Sequence, residues 1–250
     1  MFPYKPDELF AINEHPKVEL TRLGDTNNMV VVIQDFYKHP EKVRDLVLST
    51  PYPIWKSSET SRNFIDYYDC RHFIDVPFTH AQLMVQAIAR EVLHIDIKTH
   101  EVNLITNLFK LMSEQPLDSQ PHPHDDWLRV AAILTLNTPE ECSGGTAFYR
   151  KKNPKMDFMP TAPDSYDKAY EEVYPADEAW EDGTSYFNEI YEEHWERLDM
   201  LPMQFNQLVI YPGVFFHGAW HEQNAFKNYY RVNQVMFFDD VVFDPNYWPE

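Results

Sequence analysis

The chain has 250 residues, 40 acidic against 21 basic side chains, a formal charge of −19 and two cysteines. So acidic a balance opposes binding to a nucleic-acid backbone or an anionic lipid surface, both of which need basic neutralisation. Cys70 and Cys142 lie outside any metal-ligand spacing and are no disulfide framework, so ordinary reduced thiols are expected.

No apolar run approaches the length of about eighteen residues that a membrane span needs. The start, MFPYKPDELF, lacks a basic region followed by an apolar one, so no secretory signal is read and the cytoplasm is the default compartment. The length suits one domain spanning 1–250, with support elements in 1–102, a core in 103–239 and a tail in 240–250.

In chain order, residues 1–26 read as an arm with one short strand near 18–23. MVVVIQDFY (29–37) is a β-branched run of strand length, and Pro40 then opens a helix to about Ser49 with Val43, Leu46 and Val47 on one side. The aromatic-rich segment 51–77 holds Trp55, Tyr67, Tyr68, Arg71 and His72; density of this kind reads as wall, with loops able to cover a pocket. A helix is expected over 79–93, capped through Thr79 and Gln82 and carrying Ala81, Met84, Val85, Ile88 and Val92 on its apolar side.

NLITNLFKLMS (103–113) reads as a strand leading to the site, with either Asn107 or Lys110 facing inward. RVAAILTLN (129–137) is a core strand, Gly144–Gly145 permits a tight turn, and residues 146–150 return along the sheet. Between 151 and 200 lie fourteen acidic and five basic side chains, nearly half of the charge imbalance. There MPTAPDSYD reads as loop and NEIYEEHWERL, from Asn188, as a short helix. Residues 206–211 and YYRVNQVMFF supply the last strands, and the aromatics of the tail, Phe243, Tyr247 and Trp248, are expected to pack on the domain.

The chemistry concentrates in QPHPHDDW (120–127). On an extended chain alternate side chains share a face, so His124 and Asp126 can share an ion. His217, after the strand NQLVIY and a Pro-Gly turn, is the best third ligand. Two histidines and one carboxylate on neighbouring strands form a facial triad suited to iron(II), with positions left open. Arg231, fourteen residues further on, offers a planar guanidinium that pairs well with a carboxylate. His122 has no assigned task, and its alternatives are a further imidazole near the metal or loop decoration.

These motifs, PHPHDDW, LTLN, GGTAFYR, NQLVIYPGVFFHGAW and YYRVNQVMFFD, resemble the iron(II)- and 2-oxoglutarate-dependent dioxygenases, in particular the branch similar to prolyl 4-hydroxylases. The resemblance covers roughly residues 103–239. It implies a mainly β double-stranded β-helix (a jelly roll, cupin-like) with flanking α-helices, and iron(II) held by His124, Asp126 and His217. It also implies 2-oxoglutarate as co-substrate, its far carboxylate held by Arg231 and Thr135, and molecular oxygen with a small-molecule or peptidyl substrate. Arg231 stands somewhat further from the distal histidine than is usual in the family, so either the turn after His217 is longer or the arginine's role falls to another residue. The alternatives are a metal-dependent cupin-type enzyme that does not use 2-oxoglutarate, and a non-enzymatic barrel that binds a small ligand.

Overall fold

In a computed structural model of the protein, the apolar runs pair into two antiparallel sheets. It describes residues 5–49, 71–73, 80–95, 103–112, 123–126, 128–160, 163–174, 193–222, 225–226 and 228–239. The strands are β1 (Lys17–Arg22), β2 (Met29–Gln34), β3 (Arg71–Phe73), β4 (Asn103–Met112), β5 (Val130–Thr135), β6 (Gly145–Lys151), β7 (Trp195–Pro202), β8 (Gln207–Pro212), β9 (His217–Trp220) and β10 (Arg231–Asp239). Helices are α1 (Pro6–Leu9), α2 (Pro40–Ser49), α3 (His80–Glu91) and α4 (Pro163–Val173).

The larger sheet runs β1-β2-β8-β5-β10-β4-β3 and the smaller β7-β6-β9. Side-chain alternation divides the larger sheet cleanly. Val31, Ile33, Val130, Ala132, Leu134, Leu208, Ile210, Val232, Met236 and Phe238 point to one side, where Val43 and Val47 of α2 and Ala81, Val85 and Ala89 of α3 meet them. Opposite parity sends Val30, Val32, Ala131, Val209 and Tyr211 toward Phe148 of the smaller sheet. On the far side of that sheet Ala147, Tyr149 and Trp195 pack on Ala169 and Val173 of α4. The layers are therefore helices, large sheet, small sheet, helix. Each fully buried Val, Leu or Phe in such layers stabilises by about 1.5–3 kcal/mol.

Among the described residues the strands form the expected mainly β fold, two facing antiparallel sheets flanked by helices, without a closed barrel. Local expectations are corrected. Residues 195–198, expected at the end of a helix, belong to β7, because Trp195 and Leu201 each find a buried place and the strand pairs with β6 throughout. The segment read as loop around Pro163 instead begins α4. A proline at the start of a helix loses no hydrogen bond, and Ala169 and Val173 recur at helical spacing. The arm also contains α1, a single turn whose Leu9 is buried.

Trp55, Tyr67, Tyr68, Thr79, His122, residues 188–192, Phe243, Tyr247 and Trp248 lie outside the described residues, as do the side chains of Arg71, His72, Asn107 and Lys110. Cys142 is a free thiol packed near Met203 and Phe226, and burial pushes its pKa up to about 11. Among the described residues no helix is long and apolar enough to cross a membrane.

Candidate metal centre

The proximal pair and the distal histidine are joined first through the backbone. The His124 N–H donates to the His217 carbonyl at 2.9 Å, and the His217 N–H donates to the His124 carbonyl at 2.8 Å. Two residues on, the Asp126 N–H donates to the Gly213 carbonyl at 2.8 Å. The loop before β5 is thus laced to the β8–β9 turn. Gly213 is required there because a Cβ would collide with the Leu128 carbonyl.

This lacing brings one ligand atom from each of His124, Asp126 and His217 within 4.8 Å of the others. Asp126 Oδ2 lies 3.2 Å from His217 Nε2, and Oδ1 lies 4.0 Å from His124 Nε2. The His217 Nδ1 is 2.8 Å from the Phe215 carbonyl, an acceptor that keeps a proton on Nδ1 and turns Nε2, the nitrogen that could bind a metal, toward Asp126. This donor set, two imidazole nitrogens and a carboxylate on one side of an open position, fits a divalent first-row metal.

Burial is graded across the three. His217 is 4 % exposed, whereas the His124 side chain is 46 % exposed, so the site is open on the His124 side. Burial, the largest single influence on His217, disfavours its protonation. The Asp126 carboxylate, the Phe215 carbonyl and Asp125 together outweigh it, and its pKa is raised above the ordinary imidazole value.

Around His217 the walls are aromatic. The Tyr211 ring stands edge-on to it at 4.8 Å between centroids, and Phe148 lies at 6.4 Å. Arg231 opens β10 and is 4 % exposed. Asn233 is paired with Thr135, and Thr135 with Gln207, so these three side chains share the inner face of the larger sheet with Arg231. All four are buried. Between this polar end and Tyr211 the same face carries Ile133, Val209 and Val235.

The extra residues between His217 and Arg231 have a place in the fold. Ala225 and Phe226 are buried with Met203, and His221 packs edge-on to Phe226 at 5.7 Å. The turn therefore carries its own small core.

Of the residues singled out from the sequence, His124, Asp126 and His217 come together, and Arg231 and Thr135 lie buried on the inner face of the larger sheet. Reading the sequence did not single out Tyr211, Asp125, Asn137, His221 or Asn233. For Tyr211 and Asn233 a signal existed, since each shares strand parity with a residue that was chosen or with the inner apolar row. Asp125 and Asn137 make their contacts with distant segments and had no such signal.

Residues 70–228 match the model of a family described as a family of unknown function (DUF6445). The chain belongs to that family. The matched span takes in His124, Asp126 and His217 and ends before Arg231. No curated protein matches the chain. Among solved structures it is similar to a 2OG-Fe(II) oxygenase family oxidoreductase from Burkholderia pseudomallei, with 10% identity over 85% of this chain and 84% of that one and a TM-score of 0.42. It is also similar to HygX from Streptomyces hygroscopicus, whose structure has nickel and 2-oxoglutarate bound (10% identity, 86% and 83% covered, TM-score 0.45). A third is EctD from S. alaskensis with bound Fe (13% identity, 93% and 87% covered, TM-score 0.38).

Proposed function

We propose that this member of the family is an iron(II)- and 2-oxoglutarate-dependent oxygenase that hydroxylates an amino acid, a peptide or a small natural product. The observation that carries the reading is the convergence of His124, Asp126 and His217 within 4.8 Å, with the His217 tautomer set by the Phe215 carbonyl. In this reading the two sheets are the halves of a double-stranded β-helix, and the prolyl 4-hydroxylase-like branch is the finer assignment.

The inner face beyond the triad supports the choice of co-substrate. A 2-oxo dicarboxylic acid has a chelating end, two methylenes and a second carboxylate. The metal ligands, the apolar row Ile133, Val209 and Val235, and the buried polar group Arg231, Thr135 and Asn233 follow in that order along the sheet. Arg231 gives the far carboxylate a charge-assisted pair of donors and Thr135 a hydroxyl.

Bound in this set, iron(II) with 2-oxoglutarate supplies oxygen activation coupled to release of succinate and carbon dioxide. The chain's own share is positional. His124, Asp126 and His217 would hold the metal, while Tyr211, Phe148 and Phe215 keep water from the buried side. A carboxylate at Asp126 in place of a small residue would leave no room for a halide, which favours hydroxylation over halogenation.

The test is anaerobic addition of iron(II) and 2-oxoglutarate to the purified protein. A visible charge-transfer band that needs both, followed by oxygen uptake and succinate formation, is expected. Oxygen uptake independent of the keto acid, or no band at all, refutes the reading.

A further inference from the structure

Building on that reading, we propose that the Tyr211 hydroxyl is a hydrogen-bond donor to the dicarboxylate lying between the metal ligands and Arg231. The side chain is 0 % exposed, and its hydroxyl has no hydrogen-bond partner among the described residues. Leaving a buried hydroxyl unmet costs about 1–3 kcal/mol, and folded proteins keep few such groups without a use for them.

The ring cannot easily turn to find another partner. It is held edge-on against Phe148 at 5.2 Å and against His217 at 4.8 Å, and its strand neighbours on the inner face are apolar. The Asp126 carboxylate and the Arg231 guanidinium both act electrostatically on the phenol. A phenol carries its proton at neutral pH, so it presents a donor. An anionic ligand lying between the metal ligands and Arg231 supplies the acceptor which the protein itself does not.

The substitution Tyr211→Phe removes the oxygen and keeps the ring, so its effects on stability and on ligand binding should have different signs. In the metal-free protein the thermal midpoint should be unchanged or higher, because an unmet polar group has gone. Anaerobic iron(II) affinity should match wild type. The affinity of the iron-loaded protein for 2-oxoglutarate, read from the charge-transfer band and by calorimetry, should fall about tenfold, the usual worth of a hydrogen bond to a charged group.

Equal 2-oxoglutarate affinity in variant and wild type overturns the proposal. So does a lower thermal midpoint in the metal-free variant, which would mean that the hydroxyl bonds to the protein. A wild-type protein that takes up iron but not 2-oxoglutarate overturns the oxygenase reading itself, a result distinct from equal binding by both proteins.

Discussion

Tyr166 donates a 3.1 Å hydrogen bond from its hydroxyl to Oδ2 of Asp125, the residue between the two proximal ligands. Because alternate side chains on an extended segment face opposite ways, Asp125 turns toward α4 while His124 and Asp126 face the gap. Asp125 is 6 % exposed, and burial together with the Asp125 charge also pushes the neighbouring Tyr174 phenol well above its usual pKa.

The helix of the acidic insertion therefore steadies the loop that carries two ligands. Tyr166→Phe should leave the far-UV circular dichroism unchanged and weaken metal binding by about tenfold, the value of one hydrogen bond to a charged group. Competition against a chelator measures it. Unaltered metal affinity would mean that the backbone pair between His124 and His217 sets the loop without help from α4.

Asn137 grips the chain on both sides of Arg231. Its Nδ2 donates to the Tyr230 carbonyl and its Oδ1 accepts from the Val232 N–H, each at 2.7 Å, and the residue is fully buried. Asn137→Ala removes both bonds and leaves backbone groups unmet, so a loss of about 2–4 kcal/mol is expected from the denaturant midpoint. In the protein that remains folded, 2-oxoglutarate binding should weaken more than metal binding. Equal weakening of both ligands would show a general loosening instead of an effect on Arg231.

Strand after strand was legible because burial follows residue parity. In 29–34 and 130–135 the β-branched and apolar residues announce an element covered on both faces, and the helix over 80–91 shows its apolar side plainly. The order of the motifs made the candidate ligands and their meeting legible, but not the contact that achieves it. That contact is a backbone bridge between His124 and His217, residues far apart in the chain, which no local pattern encodes. Where the structure differs, the cause is local. Pro163 reads as a breaker yet stands at a helix start, and the Glu-rich lead into Trp195 has helix-forming residues whose preference yields to pairing with β6. The bond between Tyr166 and Asp125 depends on that helix, and no local pattern announces it.

His221 gives a pH prediction. Burial first, and behind it the nearby Arg231 charge, lower its pKa below the ordinary imidazole value, against the Glu222 carbonyl. A depressed histidine stays neutral in the folded protein while the unfolded chain takes up a proton. The unfolded state therefore binds more protons between the lowered pKa and about 6.5, and stability falls as pH drops through that window. His221→Gln should flatten the fall in thermal midpoint on acidification from neutral pH. A variant that tracks wild type throughout would assign the acid sensitivity to other groups.

Asp126 is the ligand whose removal separates metal binding from folding. Its carboxylate stands 3.2 Å from His217 Nε2 and 4.0 Å from His124 Nε2, and its side chain is 12 % exposed. Above the raised pKa of His217 that imidazole is neutral and the carboxylate has little to attract in the metal-free protein, so at alkaline pH Asp126→Ala should leave the metal-free thermal midpoint close to wild type. With metal present the two proteins should diverge. A ligand at one hundred times its dissociation constant stabilises the folded state by about 2.7 kcal/mol. The wild-type midpoint should accordingly rise when manganese(II) or, anaerobically, iron(II) is added, and the variant midpoint should not. A variant that gains as much as wild type would remove Asp126 from the ligand set and leave two imidazoles, too few to hold a metal as a facial triad does.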